Sequence, residues 1–197
     1  RMQYYIYSLV CFLLPGTVWL IWNKGMIADK AYKVRHIIWI YIYLFYGYLA
    51  VQEAAGIGTI WDLIAYGKLD NSINLIPFSS EGAMTYILNI IMFMPLGFLL
   101  PLIWKNFRNA KKVVLMGFLM SLAIEICQLF NIRTTDIDDL MMNTLGTLVG
   151  YCCWKVFSLI FRNAGTKCVE MKKSEPVIYM FGGILGLFLL YNWRVFN

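Results

Sequence analysis

The polar residues that could do chemistry in this chain interrupt a strongly apolar stretch in its second half. The apolar run over residues 113–130 contains three of them, at spacings of four and three residues: Ser121, Glu125 and Gln128. These spacings place the three side chains on one face of a helix. A carboxylate is costly in such apolar surroundings and by default indicates a functional site. Glu125 is therefore the first candidate for a catalytic or ligand-binding group.

A second polar group follows directly along the chain. It consists of Arg133, Asp136, Asp138, Asp139 and Asn143. Asp139 and Asn143 are four residues apart, so they share a face of the helix expected over the apolar run 140–160. An earlier apolar run, 84–104, contributes Asn89.

Three of these residues are predicted to lie at one depth. Asn89 and Glu125 are each five residues from one end of an apolar run, and Asn143 is five residues from Asp138, near which the next helix is expected to begin. Those ends fall on the same side if consecutive helices run antiparallel. With a rise of about 1.5 Å per residue, each of the three lies roughly 7–8 Å below that side. The sequence therefore predicts a polar layer built from three helices.

The types of residue in this layer indicate its chemistry. Clustered carboxylates and amide oxygens suit a hard divalent cation such as Mg²⁺ or Ca²⁺. Such an ion could hold a phosphate-bearing lipid head group with an arginine assisting, and a buried carboxylate could act as a general acid or base. We predict as catalytic residues Glu125, Asp136 and Asp139, and as ligand-binding residues Asn89, Gln128, Arg133 and Asn143.

Each of these residues also has a purely structural interpretation. Aspartates at the start of a helix cap it and offset its macrodipole. Glu125 could pair with Arg133, and Asn89 and Asn143 could hydrogen-bond neighbouring helices together. The sequence contains no clear nucleophile–base pair, metal-binding histidine set or phosphate-binding glycine loop. It therefore leaves open whether the protein is an enzyme.

Six nearly continuous apolar runs supply the helices that would position this layer. The chain is 60% apolar and 14% charged, whereas soluble domains carry about 25% charged residues. The runs cover 4–22, 36–52, 84–104, 113–130, 140–160 and 176–193. A membrane-spanning helix needs about 20 apolar residues. We therefore predict an all-α, polytopic transmembrane bundle of about six helices.

This bundle is predicted to form a single membrane domain over 1–197. Within it we distinguish an N-terminal transmembrane hairpin, 1–52, and a C-terminal transmembrane helix, 176–197. The first apolar run is longer than the core of a typical signal peptide and lacks a clear cleavage site, so we interpret it as a retained helix.

The basic residues predict the orientation of the bundle. Most of the 17 lysines and arginines lie in alternate connections, 23–35, 105–112 and 162–175. Because basic loops face the cytoplasm, both termini and the polar layer are expected on the extracytoplasmic side. Topology thus accounts for the net charge of +6, and no nucleic-acid partner is expected.

Four further patterns predict local structure. Apolar residues at helical spacing over 57–64 indicate a short amphipathic helix at the membrane surface, although a plain surface loop fits equally well. Pro77 favours an extended backbone over 71–78. The glycines that bound 146–150 permit close helix packing. His36, the single histidine, is expected to anchor the second helix at the membrane interface.

Taken together, these motifs resemble the VanZ family. The matching segments are Asn-Leu-Ile-Pro-Phe at 74–78, Asn89 through Gly97 to Pro101, Ser121 to Gln128, Arg133 to Asp139, and Asn143 through Gly146 to Gly150. Their order, spacing and helix placement match the family over residues 71–152, which we call the VanZ-like core.

The resemblance implies a bacterial cell-membrane protein that is linked to resistance to teicoplanin, a lipoglycopeptide that binds cell-wall precursor at the outer face. It also implies that seven motif residues carry the function: Asn89, Glu125, Gln128, Arg133, Asp136, Asp139 and Asn143. Our first hypothesis is a cell-envelope factor that binds or modifies a lipid-linked, phosphate-bearing molecule in the outer leaflet. That molecule could be a cell-wall precursor or a phospholipid.

Two other classes of function are open alternatives. One is a transporter or flippase in which Glu125 relays a proton or ion. Transporters favour midplane sites and inverted repeats, and the sequence shows neither. The other is a non-catalytic subunit that positions an envelope enzyme, which the glycine pattern permits without favouring.

Overall fold

The computed structural model describes residues 2–26, 30–66, 73–78, 82–130, 135–161 and 172–196. Seven α-helices make up most of this part of the chain: α1 (Met2–Asn23), α2 (Lys30–Tyr48), α3 (Ile60–Tyr66), α4 (Ala83–Ile103), α5 (Ala110–Gln128), α6 (Ile137–Ile160) and α7 (Glu175–Leu190). A π-helix, Leu49–Ala55, continues α2. Short 3₁₀ helices cover Lys24–Met26, Lys105–Phe107 and Trp193–Phe196. Two short strands, β1 (Ile73–Asn74) and β2 (Thr135–Asp136), pair in parallel.

The prediction of an all-α transmembrane bundle is confirmed. Helix α1, helix α4 and the segment Lys30–Ala65 that contains α2 are long and apolar enough to cross a membrane. Helix α7 is apolar but shorter. Helices α5 and α6 have 19 and 24 residues and carry most of the predicted site residues.

Glycines bring the backbones of α4 and α6 into direct contact. A Cβ atom built on Gly97 would lie 1.9 Å from the carbonyl oxygen of Thr147, and one on Gly150 would lie 2.0 Å from that of Met94. No side chain fits at such distances, so the close packing predicted from the glycine spacing is present. The Thr147 side chain fills the space beside Gly117 of α5. Helices α4, α5 and α6 thus form one tightly packed unit.

A second pair of helices, α1 and α7, packs in the same manner. A Cβ atom on Gly186 would lie 2.3 Å from the carbonyl oxygen of Cys11, and Gly183 lies against the ring of Phe12. Helix α2 contacts α1, α4 and α7. Its fully buried Tyr43 and Leu44 belong to the core that joins the two packed units.

A buried polar cluster lies where α2 and α7 begin and α4 ends. The Glu175 carboxylate is 0% exposed. It contacts His36 Nε2 at 2.8 Å and accepts hydrogen bonds from Trp104 Nε1 at 3.0 Å and from the Tyr179 hydroxyl at 3.2 Å. His36 is only 5% exposed. Its side chain therefore packs inside the bundle against Glu175, and the position of this end of α2 at the membrane interface stays a prediction.

Candidate functional site

The predicted polar layer lies at one end of the bundle, where α4 and α6 begin and α5 ends. Asn89 and Asn143 lie in the second turns of α4 and α6, and Glu125 lies in the last turn of α5. Five of the predicted site residues line one cavity of about 780 Å³: Asn89, Glu125, Gln128, Asp139 and Asn143. Spacing along the sequence thus led to residues that the fold brings together.

Glu125 connects the end of α5 to the start of α6. Its side chain is 4% exposed, and Oε2 accepts a hydrogen bond from the backbone N–H of Asp136 at 3.3 Å. The Thr135 hydroxyl donates to the Glu125 carbonyl oxygen at 3.4 Å. The alternative pairing of Glu125 with Arg133 concerns a residue outside those that the structure describes.

The amide side chains of the site bridge neighbouring helices. Asn89 Nδ2 donates to Asp139 Oδ1, and Asn143 Nδ2 donates to the Ser121 hydroxyl at 2.9 Å. Both asparagines therefore hydrogen-bond neighbouring helices together, which is the structural role considered for them above. However, Oδ1 of Asn143 is buried and has no hydrogen-bond partner among the described residues. A buried acceptor without a donor is energetically costly, so this oxygen is available to a ligand's donor or to a cation.

Gln128 joins the site to the π-helix that follows α2. Its Nε2 donates to the carbonyl oxygen of Ala55 at 3.0 Å, and Ala54 and Ala55 also line the cavity. The π-helix was not predicted, because Leu-Ala-Val-Gln-Glu-Ala-Ala contains no proline or glycine that would mark a departure from α geometry. Such π segments occur frequently at functional sites.

Asp136 and Asp138 hold the segment over 73–78 against the start of α6. Asp136 caps α6 by accepting the backbone N–H of Asp138 at 2.9 Å, and it accepts a second bond from Asn74 Nδ2 at 3.0 Å. Asp138 is 0% exposed and accepts from the Phe78 backbone N–H and the Tyr86 hydroxyl, both at 2.9 Å. Neither aspartate is among the residues that line the cavity. The capping role is therefore present, and catalysis by Asp136 stays a prediction.

The segment over 73–78 presents apolar side chains at this end of the bundle. The extended backbone predicted there is seen in β1, which pairs Asn74 with Asp136, while residues 71–72 lie outside the described part. Leu75, Ile76 and Phe78 are each more than 60% exposed. The backbone of Phe78 has φ 60°, a strained conformation for a bulky residue, and the bond from its N–H to Asp138 helps to hold it.

The cavity has a polar floor and an apolar side. Leu88 and Ile91 line it and are 57% and 55% exposed on the outer surface of α4. Met92 and Ile124 add further apolar lining. The lining of this cavity therefore combines buried polar side chains with apolar side chains that are also exposed on the outer surface of α4.

The charged lining residues are acidic. Glu125 and Asp139 are the two carboxylates, and no lysine, arginine or histidine lines the cavity among the described residues. Within the same part of the chain, no group of three or more histidine, cysteine, aspartate or glutamate residues is arranged to hold a metal ion. A cation at this position would therefore rely on two carboxylates together with amide oxygens.

Comparison with known proteins assigns the chain to a family. Residues 6–158 match the family described as VanZ/LLP1. Protein VanZ of Enterococcus faecium is 34% identical over 134 residues, which cover 67% of this chain and 77% of that protein. No solved structure matches. The matched region contains the predicted VanZ-like core and also extends over most of the N-terminal hairpin. This chain, a helical membrane protein, belongs to the VanZ family.

Proposed function

We propose that this protein binds the head group of a lipid-linked, phosphate-bearing envelope molecule in the outer leaflet of the bacterial cell membrane. The observation that carries the proposal is the cavity that combines a polar floor with an exposed apolar side. A soluble ligand would not require exposed apolar residues beside its site. An amphiphile would, because its tail remains in the bilayer while its head group reaches Glu125 and Asn143. The cavity lies at one end of the bundle, which favours binding from one leaflet over transport.

The distribution of charge supports an outward-facing cavity. Lys105, Arg108, Lys111 and Lys112 follow the end of α4, and Lys172 and Lys173 precede α7. These positions belong to the end of the bundle opposite the cavity. By the positive-inside rule that end faces the cytoplasm. Both termini and the entrance to the site would then be extracytoplasmic, and the chain would cross the membrane several times.

Recognition of a phosphate requires positive charge in this acidic cavity. Mg²⁺ is commonly held by one or two carboxylates together with phosphate oxygens. In our proposal Glu125, Asp139 and the Asn143 oxygen hold a divalent cation that carries the phosphate, and Arg133 contributes a second positive group. Glu125 could also exchange a proton with the bound molecule if the protein modifies it.

Binding of such a molecule would account for the resistance that is associated with the family. Teicoplanin binds cell-wall precursor at the outer membrane face, so sequestering or altering a lipid-linked precursor there would lower access of the drug to its target. A bound phospholipid would act less directly, through the composition of the leaflet.

Protection of cells tests this proposal. A Glu125→Gln variant should lose the protection against teicoplanin that the parent protein gives, falling to the level of cells without the protein. The variant removes the group that can carry a negative charge and retains an oxygen that can accept the Asp136 N–H, so the connection between α5 and α6 is preserved. The measurement is the inhibitory concentration of teicoplanin at matched protein levels in the membrane fraction.

An Asp62→Asn variant is the matched control. It removes one negative charge at the same end of the bundle, and the asparagine side-chain oxygen can still accept the Thr59 backbone N–H that Asp62 Oδ2 accepts at 2.6 Å before helix α3. It should protect as well as the parent. Full protection by Glu125→Gln at normal protein levels would contradict the proposal.

A further inference from the structure

A second cavity, of about 320 Å³, opens at the same end of the bundle. The start of α1, the π-helix and the residue after α7 form its walls, and six of the described residues line it: Tyr4, Tyr5, Ser8, Gln52, Glu53 and Tyr191. Four consecutive residues of the π-helix separate the two cavities. Gln52 and Glu53 line the second cavity, and Ala54 and Ala55 line the first. None of the six residues belongs to the VanZ-like core.

The walls of this second cavity present hydrogen-bond acceptors and negative charge. Oε1 of Gln52 is buried and has no hydrogen-bond partner among the described residues. Glu53 is exposed and forms no ion pair with them. It accepts a bond from the Tyr48 hydroxyl at 2.9 Å, and Ser8 holds that hydroxyl in turn at 2.8 Å. Among the residues that the structure describes, no lysine, arginine or histidine lines this cavity.

Tyrosine rings beside a carboxylate favour an organic cation. The faces of aromatic rings attract ammonium groups, and aromatic cages recognise such ligands. Tyrosines at the membrane interface are common without any ligand. Interfacial preference, however, explains neither the buried acceptor of Gln52 without a donor nor the cavity that this residue lines. A metal ion fits poorly, because Glu53 is the one carboxylate among the described lining residues and hard cations take several oxygen ligands.

We propose that this second cavity binds a primary ammonium group, with Glu53 supplying the charge, Gln52 Oε1 accepting an N–H bond and the tyrosines enclosing the carbon atoms. A primary ammonium group offers three donors, whereas a quaternary one offers none and would leave Gln52 without a partner. The site is separate from the phosphate site and goes beyond the proposed function.

Binding of ethanolamine to the full-length purified protein tests this site. Saturation-transfer NMR in a neutral detergent should show ethanolamine binding, whereas ethylene glycol, a neutral molecule of similar size, should bind far more weakly. Glu53→Gln should weaken ethanolamine binding about fivefold, the magnitude of a partly exposed ion pair, because the tyrosine rings remain in place. Gln52→Met, which keeps the length and removes the acceptor, should also weaken it.

Three controls sharpen this test. Glu125→Gln makes the same substitution in the other cavity and should leave ethanolamine binding unchanged, which separates this site from the phosphate site. Unchanged melting temperatures for Glu53→Gln and Gln52→Met establish that both variants are folded. Binding of tetramethylammonium, which has no N–H donor, should be the same in the parent and in Gln52→Met. Equal ethanolamine binding by the parent and Glu53→Gln, or a loss with Glu125→Gln instead, overturns the proposal.

Lipid retention identifies the source of the amine. The parent and Glu53→Gln proteins would be extracted from bilayers of phosphatidylglycerol and phosphatidylethanolamine and weighed by native mass spectrometry. Retention of phosphatidylethanolamine that depends on Glu53 assigns the site to a lipid head group. Ethanolamine binding without such retention assigns it to a soluble amine. If the parent shows neither, the site does not bind primary amines.

Discussion

Replacing Gly150 with alanine is expected to destabilise the folded bundle by about 3 kcal/mol or more, although it adds one methyl group. The new Cβ would lie 2.0 Å from the Met94 carbonyl oxygen. That oxygen belongs to the backbone of α4 and cannot rotate away, so α4 and α6 must separate. The same separation would shift Asn89 relative to Asn143 and distort the cavity. Thermal unfolding in detergent, followed by tryptophan fluorescence, measures the effect.

Gly182→Ala is the matched control for this substitution. Its Cβ would meet only the side chain of Pro15, at 3.4 Å, which is ordinary contact. Alanine also has the higher helix propensity, by about 1 kcal/mol. This variant should therefore be as stable as the parent or more so. Equal stability of Gly150→Ala and Gly182→Ala would show that α4 and α6 are not in backbone contact.

Replacing Glu175 with alanine is expected to cost about 3–5 kcal/mol of stability. The carboxylate is completely buried and accepts from Trp104 and Tyr179 while contacting His36. Its removal leaves three polar groups without their acceptor in an apolar interior, and each such group carries a desolvation penalty. Because these groups come from α2, the end of α4 and α7, the loss should loosen the end of the bundle opposite the cavity.

A double-mutant cycle distinguishes this explanation from a simple loss of packing. Glu175→Ala and His36→Ala should together cost clearly less than the sum of the single changes, because each removes the other's partner. Glu175→Gln keeps an acceptor oxygen and should cost less than Glu175→Ala. Additive effects of the two alanine changes would show that His36 and Glu175 do not interact.

The site layer was predictable because helices have a constant rise. Asn89 and Asn143 each lie six residues after the first residue of their helices, and Glu125 lies three residues before the last residue of α5. All three therefore fall within two turns of helix ends on one side, whatever the packing of the antiparallel helices. The rotation of each helix about its axis was not predictable. Asp138 and Asp139 are adjacent in sequence, yet Asp138 holds Phe78 and Tyr86 while Asp139 lines the cavity.

Long-range pairing accounts for the features that the sequence did not reveal. His36 and Glu175 are separated by 139 residues, and no periodicity within either helix indicates that they meet. The second cavity likewise combines the start of α1, the π-helix and the end of α7. Only the packing of α1 against α7 and α2 brings those side chains together.

The most direct test of the head-group site is native mass spectrometry of the purified protein with its retained lipids, for the parent and for Glu125→Gln. Both would be measured with Mg²⁺ or Ca²⁺ and with a chelator. We expect the parent to retain a phosphate-bearing lipid that Glu125→Gln loses, and we expect retention to weaken when the divalent cation is removed. Retention of the same lipids in equal amounts by both proteins would contradict the assignment of this cavity as a head-group site.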